Sequence, residues 1–109
     1  MDDKNYKLRY LPVFYDDLEE KVLYIAKKLH NPAAARELLD AVEHAILERL
    51  PFCESFECFQ SKRERKHPYY RIYVKNFVVY YVVINEDLGG KVMEVRRLLY
   101  KKQERWNKL

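Results

Sequence analysis

The residues best suited to chemistry in this chain lie between Tyr69 and Trp106, where arginines and lysines are interleaved with tyrosines in YYRIYVKNF and again in VRRLLYKKQERW. A guanidinium or ammonium group beside an aromatic ring can hold a phosphate and stack a base, or meet the carboxylates of an acidic protein. Arg71, Tyr73 and Lys75 share one face of a strand, opposite Ile72 and Val74, so the period of two gathers two cations and a ring on a single surface. Two basic runs flank it. SKRERKHPYYR brings Lys62, Arg63, Arg65 and Lys66, and the tail KKQERWNKL brings Lys101, Lys102 and Arg105. If these runs meet in space, one side of the molecule attracts polyanions; otherwise they are a solvated surface.

Other reactive side chains have structural roles as their expectation. Arg97 alternates with Val95 and Leu99, which turns it toward the core to pair with a helix acid such as Glu43. Trp106 docks the tail on the sheet, and His67, ahead of Pro68, is expected in solvent. Cys53 and Cys58 read as small buried hydrophobes, not as a disulfide. With histidines only at His30, His44 and His67, and none at a metal-binding spacing, neither metal nor cofactor is expected.

A chain of 109 residues allows one domain, covering 1–109, with a modest core. Hydrophobic residues at 49% argue against disorder, and 35% charged residues with two glycines favour a compact chain with few loops. The longest apolar run, Phe77 to Ile84, is far shorter than the roughly 20 residues that span a bilayer. Without a leader-like N-terminus, the expected location is the cytoplasm, with no membrane partner.

Six main elements and a short edge strand must position the basic groups. Tyr6, Leu8 and Tyr10 alternate with Lys7 and Arg9 in a strand ending at Pro12. Asp16 and Glu19 resemble a capping box, and Leu18, Val22, Ile25, Ala26 and Leu29 follow at helical spacing, predicting a first helix from about Asp17 to Leu29. At His30-Asn31-Pro32 the pattern restarts. Asn31 either stops one helix or caps the next, and Ala35, Leu38, Leu39, Val42, Ile46 and Leu50 mark a second apolar face up to Pro51. A loop follows, with a short edge strand around Glu57 to Gln60. Then come strands from Tyr70 to Val74, Phe77 to Ile84 and Val92 to Leu99, with turns at Asn76 and Asn85 to Gly90. The predicted class is α+β in two layers: an N-terminal strand, an α-helical hairpin across one sheet face, and an antiparallel three-stranded meander.

Taken together, LHNPAAARELLDAVEHAILERL, YRIYVKNFVVYYVVI and VRRLLYKKQERW resemble the RelE/ParE superfamily of bacterial type II toxin–antitoxin toxins, from Tyr6 to Trp106. The resemblance implies a toxin neutralised by a cognate antitoxin, with an apolar antitoxin groove lined from Leu18, Val22 and Leu29 outward. RelE-like members cleave messenger RNA on the ribosome, whereas ParE-like members inhibit DNA gyrase without a nuclease centre. Arg71 matches one basic catalytic position of the cleaving branch. Tyr73 and Val78 occupy two more that are normally basic, and Gln103 replaces an arginine of the tail. Tyr100 stands where many members carry His or Tyr, although the glycine that follows it there is missing. The catalytic candidates implied are Arg71, Tyr100 and Lys102, with Lys75 and Arg105 as substitute cations. Because cations are lost at these positions, the expectation leans to a non-enzymatic, ParE-like toxin of a plasmid-stabilising module. The alternatives are a RelE-like endoribonuclease and a degenerate, non-toxic member.

Overall fold

The computed structural model describes residues 6–59, 67–86 and 89–103, apart from the side chains of Phe59 and Gln103. Strand β1 (Tyr6–Tyr10) leads directly into helix α1 (Pro12–Leu23). The helix thus starts earlier than Asp17, and Asp16 and Glu19 lie inside it. Pro12 sets this boundary: its fixed φ suits the first helical position and it has no N–H to leave unpaired. The cap residue Leu11 makes no side-chain cap bond, and its N–H is given to Val95 O at 2.9 Å.

After Leu23 the helix widens into one π turn, Tyr24–Lys28, closed by Leu29 N–H to Tyr24 O at 3.1 Å. His30 then takes the left-handed φ of 52° that ends the segment. Asn31 performs the second of its two expected roles, accepting the Ala34 N–H at 3.1 Å as the cap of α2 (Pro32–Arg49). Such a cap contributes about 1 kcal/mol.

The strands β2 (Cys58–Phe59), β3 (Tyr69–Val74), β4 (Phe77–Asn85) and β5 (Lys91–Tyr100) form the expected meander with its short edge strand. The order across the sheet is β1-β5-β4-β3-β2. β1 runs parallel to β5, pairing Tyr6 with Lys91 and Tyr10 with Val95; the helices supply the long crossover that a parallel pair needs. The β3–β4 turn puts its positive φ, 54°, at Lys75 and not at Asn76, while Gly89 takes a φ of 88° between β4 and β5.

Phe14, Leu38, Val42 and Ile46 of the helices pack on Ile72, Val79, Tyr81, Met93, Val95 and Leu98. Burial contributes about 1.5–3 kcal/mol for each large apolar side chain. A smaller cluster, Tyr69, Val78, Tyr80, Val82 and Leu99, lies on the other face of the sheet. Arg49, in the last turn of α2, ties the layers together: it donates to Tyr81 Oη at 2.9 Å and to Arg71 O at 3.2 Å, and Tyr81 in turn donates to Cys53 O at 2.7 Å. Of the two cysteines only Cys53 is buried, and burial pushes its thiol up to about 11; Cys58 is exposed and both are free thiols. His67 is half-buried, not in open solvent.

Candidate target-binding surface

Strand parity decides which of the expected residues can act together. Arg71 pairs with Tyr80 across β3 and β4, and Tyr73 with Val78, so Arg71 and Tyr73 stand on the face of the smaller cluster. Tyr100 pairs with Phe77, and their rings are 4.8 Å apart on the helix-packed face. The structure therefore places Arg71 and Tyr100 on opposite faces. Lys102 is exposed in the short 3₁₀ turn Lys101–Gln103 and joins Asn76, Tyr100 and Lys101 around an open cavity of about 690 Å³. Lys101 is anchored there by its N–H to Asn76 O at 2.8 Å, and its Nζ lies 5.6 Å from the Tyr73 ring. Such a contact contributes about 0.5–1 kcal/mol at an exposed site.

Tyr73, Lys75, Lys101 and Lys102 are thus exposed around the β3–β4 turn and the end of β5, with half-buried Arg71 farther along β3. Lys62, Arg63, Arg65, Lys66, Arg105 and Trp106 lie outside the described residues. Val78, at a normally basic position of the resembled branch, is 0% exposed and cannot be exchanged for a surface cation without disturbing the sheet. Burial, with Tyr24 and Glu20 nearby, raises the Tyr100 hydroxyl above its ordinary value. A general base near neutral pH needs the opposite shift.

The two remaining arginines of the strand are bound to carboxylates. The β4–β5 register shifts between Tyr80 and Tyr81, pairing Tyr80 with Arg97 and Tyr81 with Val95, so Arg96 is the extra residue of a bulge. Arg96 Nε donates to Glu94 Oε1 at 2.8 Å and Nη1 to Tyr69 Oη at 3.4 Å. Buried Glu94 also accepts from Arg9 Nε at 3.0 Å. Arg97 makes a bidentate pair with Asp17, at 2.8 and 2.9 Å, which raises its pKa. Its partner is Asp17 and not Glu43, because β1 covers β5 only as far as Val95 and α1 packs along the rest. Asp17 Oδ2 also accepts the Leu98 N–H at 2.9 Å, doing for this edge what a neighbouring strand would do.

Leu18 and Val22 are half-buried against the main core, while Leu29 is 55% exposed. A groove between the helices, about 440 Å³, takes in Leu18 together with Tyr10, Tyr15, Leu39 and Glu43, and Val22 and Leu29 lie outside its lining. Asp17 and Arg49 were missed as organising residues. The polar side of α1 hides Asp17 when its axis is unknown, and Arg49 looks like an ordinary basic helix end.

Among solved structures, a chain of the chromosomal ParDE TA system from P. aeruginosa matches with a TM-score of 0.68 and 12% identity, covering 90% of this chain and 98% of that one. The likeness is one of fold. No protein-family model and no curated protein sequence matches the chain.

Proposed function

We propose that this chain is the toxin of a type II toxin–antitoxin module, held in check by a cognate antitoxin, and that it acts by binding a protein target, with DNA gyrase favoured. The reading rests first on the fold likeness to the ParDE chain over nearly the full length of both. The observation that carries the choice of mechanism is the separation of Arg71 and Tyr100 by the sheet. RNA cleavage needs a charge-stabilising cation and a proton-transfer group to converge on one phosphate. Arg96 and Arg97 do not supply the missing cation, since each is bonded to a buried carboxylate. An exposed rim of lysine and tyrosine suits an acidic protein surface, and the Tyr15–Leu18–Leu39 groove suits an apolar antitoxin segment.

The second reading, ribosome-dependent cleavage of messenger RNA, draws on Lys101 and Lys102 beside Tyr100. Inducing the chain alone in bacteria, while plasmid supercoiling and protein synthesis are followed separately, distinguishes the two. Loss of supercoiling before translation slows is the expected outcome. Early translation arrest with cut ribosome-bound messenger RNA would move the activity to the Tyr100 cavity, and unaffected growth with soluble chain present would remove the toxin reading.

A further inference from the structure

Beyond Val95, where the pairing of β1 with β5 stops, α1 and β5 border a cleft of about 300 Å³ lined by Glu20, Lys21, Tyr24 and Tyr100, with the Asp17–Arg97 pair in its wall. Lys21 is 5% exposed, a burial that lysine rarely reaches without a partner. Its Nζ has only the Glu20 carboxylate at 3.6 Å, beyond hydrogen-bond distance, and the Tyr100 ring centroid at 5.2 Å. Glu20 is itself 76% exposed, so solvent competes for it. Asp17, the other carboxylate of the cleft, is occupied by Arg97 and the Leu98 N–H. Among the described residues, the three donors of the Lys21 ammonium therefore make no hydrogen bond.

The backbone marks the same place independently. The single π turn of the described helices begins at Tyr24, which borders the cleft, and such turns, rare overall, occur frequently at functional sites. It follows the turn of α1 that carries Lys21.

We propose that this cleft binds the phosphate or carboxylate group of a small molecule, with Lys21 as the anion-holding residue. The buried charge without an acceptor is positive, which selects an anion over a cation. A ligand oxygen bonded to Nζ supplies the acceptor that Glu20 fails to supply, and Glu20 has solvent into which it can turn. The volume is at the lower limit for small-molecule sites and exceeds what a bare anion needs, leaving room for a ring beside Tyr24 and Tyr100. This site does not depend on the toxin reading, and its test uses the isolated chain without any toxicity measurement.

The test titrates the intact protein with inorganic phosphate, acetate and phenyl phosphate, at constant ionic strength against chloride, following the Lys21 ε-methylene and Tyr100 ring resonances by NMR. Saturable shifts with phosphate or acetate are expected, and phenyl phosphate should bind more tightly than inorganic phosphate. Lys21→Met keeps the apolar stem and should weaken binding about ten- to hundredfold. Glu20→Gln removes the competing carboxylate from an exposed position and should tighten binding about two- to fivefold. Shifts no larger than those with chloride overturn the proposal, as does equal binding by wild type and Lys21→Met. If Lys21→Met does not fold, Glu20→Gln decides, and weaker binding by that variant overturns the proposal.

Discussion

Tyr80 and Tyr81 are adjacent, chemically identical and both buried, yet they belong to different halves of the molecule. Tyr81 points into the helix-packed core, where its hydroxyl joins Arg49 to the Cys53 carbonyl; Tyr80 sits in the smaller cluster with Tyr69 and Leu99. On β5 the bulge breaks this strict alternation, pairing Arg97 with Tyr80 and leaving Arg96 as the extra residue before Val95 pairs with Tyr81. One arginine then serves Glu94 and Tyr69, and the other serves Asp17 on α1. Composition fills both faces with the same residue types, but Asp17, Arg97, Arg49 and the Tyr81 hydroxyl close on named partners between the helices and the sheet, whereas the rim around Tyr73 and Lys101 leaves side chains in solvent. The first arrangement fixes the fold and the second is available for binding.

The strongest way to break this comparison is to remove the link between the faces. Asp17→Ala takes the bidentate partner from Arg97 and the acceptor from the Leu98 N–H together. Removing one member of a buried pair costs about 3–5 kcal/mol, and the partial exposure of Arg97, 24%, places the expected loss near the lower end, about 3 kcal/mol. Urea unfolding of wild type and variant measures it. A loss below about 1 kcal/mol would mean that the α1–β5 edge is held by apolar packing and that the ion pair is incidental.

A smaller effect, sharpening the contrast, comes from pH. Burial pushes the Tyr81 hydroxyl up to about 12 from its ordinary 10.0, despite the opposing influence of Arg49. A folded-state pKa above the unfolded one means that the native state favours the protonated phenol. Its contribution is therefore complete below pH 10 and is lost as pH rises from about 10 to 12; two pKa units amount to about 2–3 kcal/mol. Tyr6 and Tyr70, also raised by burial, act in the same direction. Thermal unfolding followed against pH should show stability falling across this window, less steeply in Tyr81→Phe. An unchanged slope in the variant would assign the alkaline loss to other groups.

The order of elements was legible because each carries its own period: two in YKLRY and YYRIYV, helical from Pro32 to Arg49, and continuous apolar in Phe77 to Ile84. The start of α1 was misplaced because Asp16 and Glu19 imitate a cap, while Pro12, read as the end of a strand, is also the first helical residue. The parallel seat of β1 beside β5 is a tertiary fact with no local signal. At the candidate surface, the shared face of Arg71 and Tyr73 followed from parity, since both lie on one strand. The position of Tyr100 relative to them did not, because it depends on counting through a bulge and two turns. Lys21 gave no signal at all: a lysine on a helix is expected in solvent, and its burial beside Tyr100 is a tertiary fact, set where α1 packs on β5.

The smallest effect on stability bears most directly on function. Tyr100→Phe keeps the ring on Phe77 and beneath Lys21, and among the described residues the Tyr100 hydroxyl has no hydrogen bond to lose. Unfolding free energy should change by no more than about 0.5 kcal/mol. If the chain acts by occupying a protein target, a missing hydroxyl on the face opposite Arg71 should leave toxicity nearly intact, whereas Arg71→Ala, in a strand facing the other way, should reduce it. If the Tyr100 cavity cleaves RNA, the order reverses: a hydroxyl that transfers a proton typically contributes a hundredfold or more in rate, roughly 3 kcal/mol of barrier, with no counterpart in stability. Growth inhibition by the two variants, normalised to soluble protein, gives the comparison. Toxicity abolished by Tyr100→Phe and preserved in Arg71→Ala would place the working site at the end of β5 and overturn the division between a closed face and a binding face.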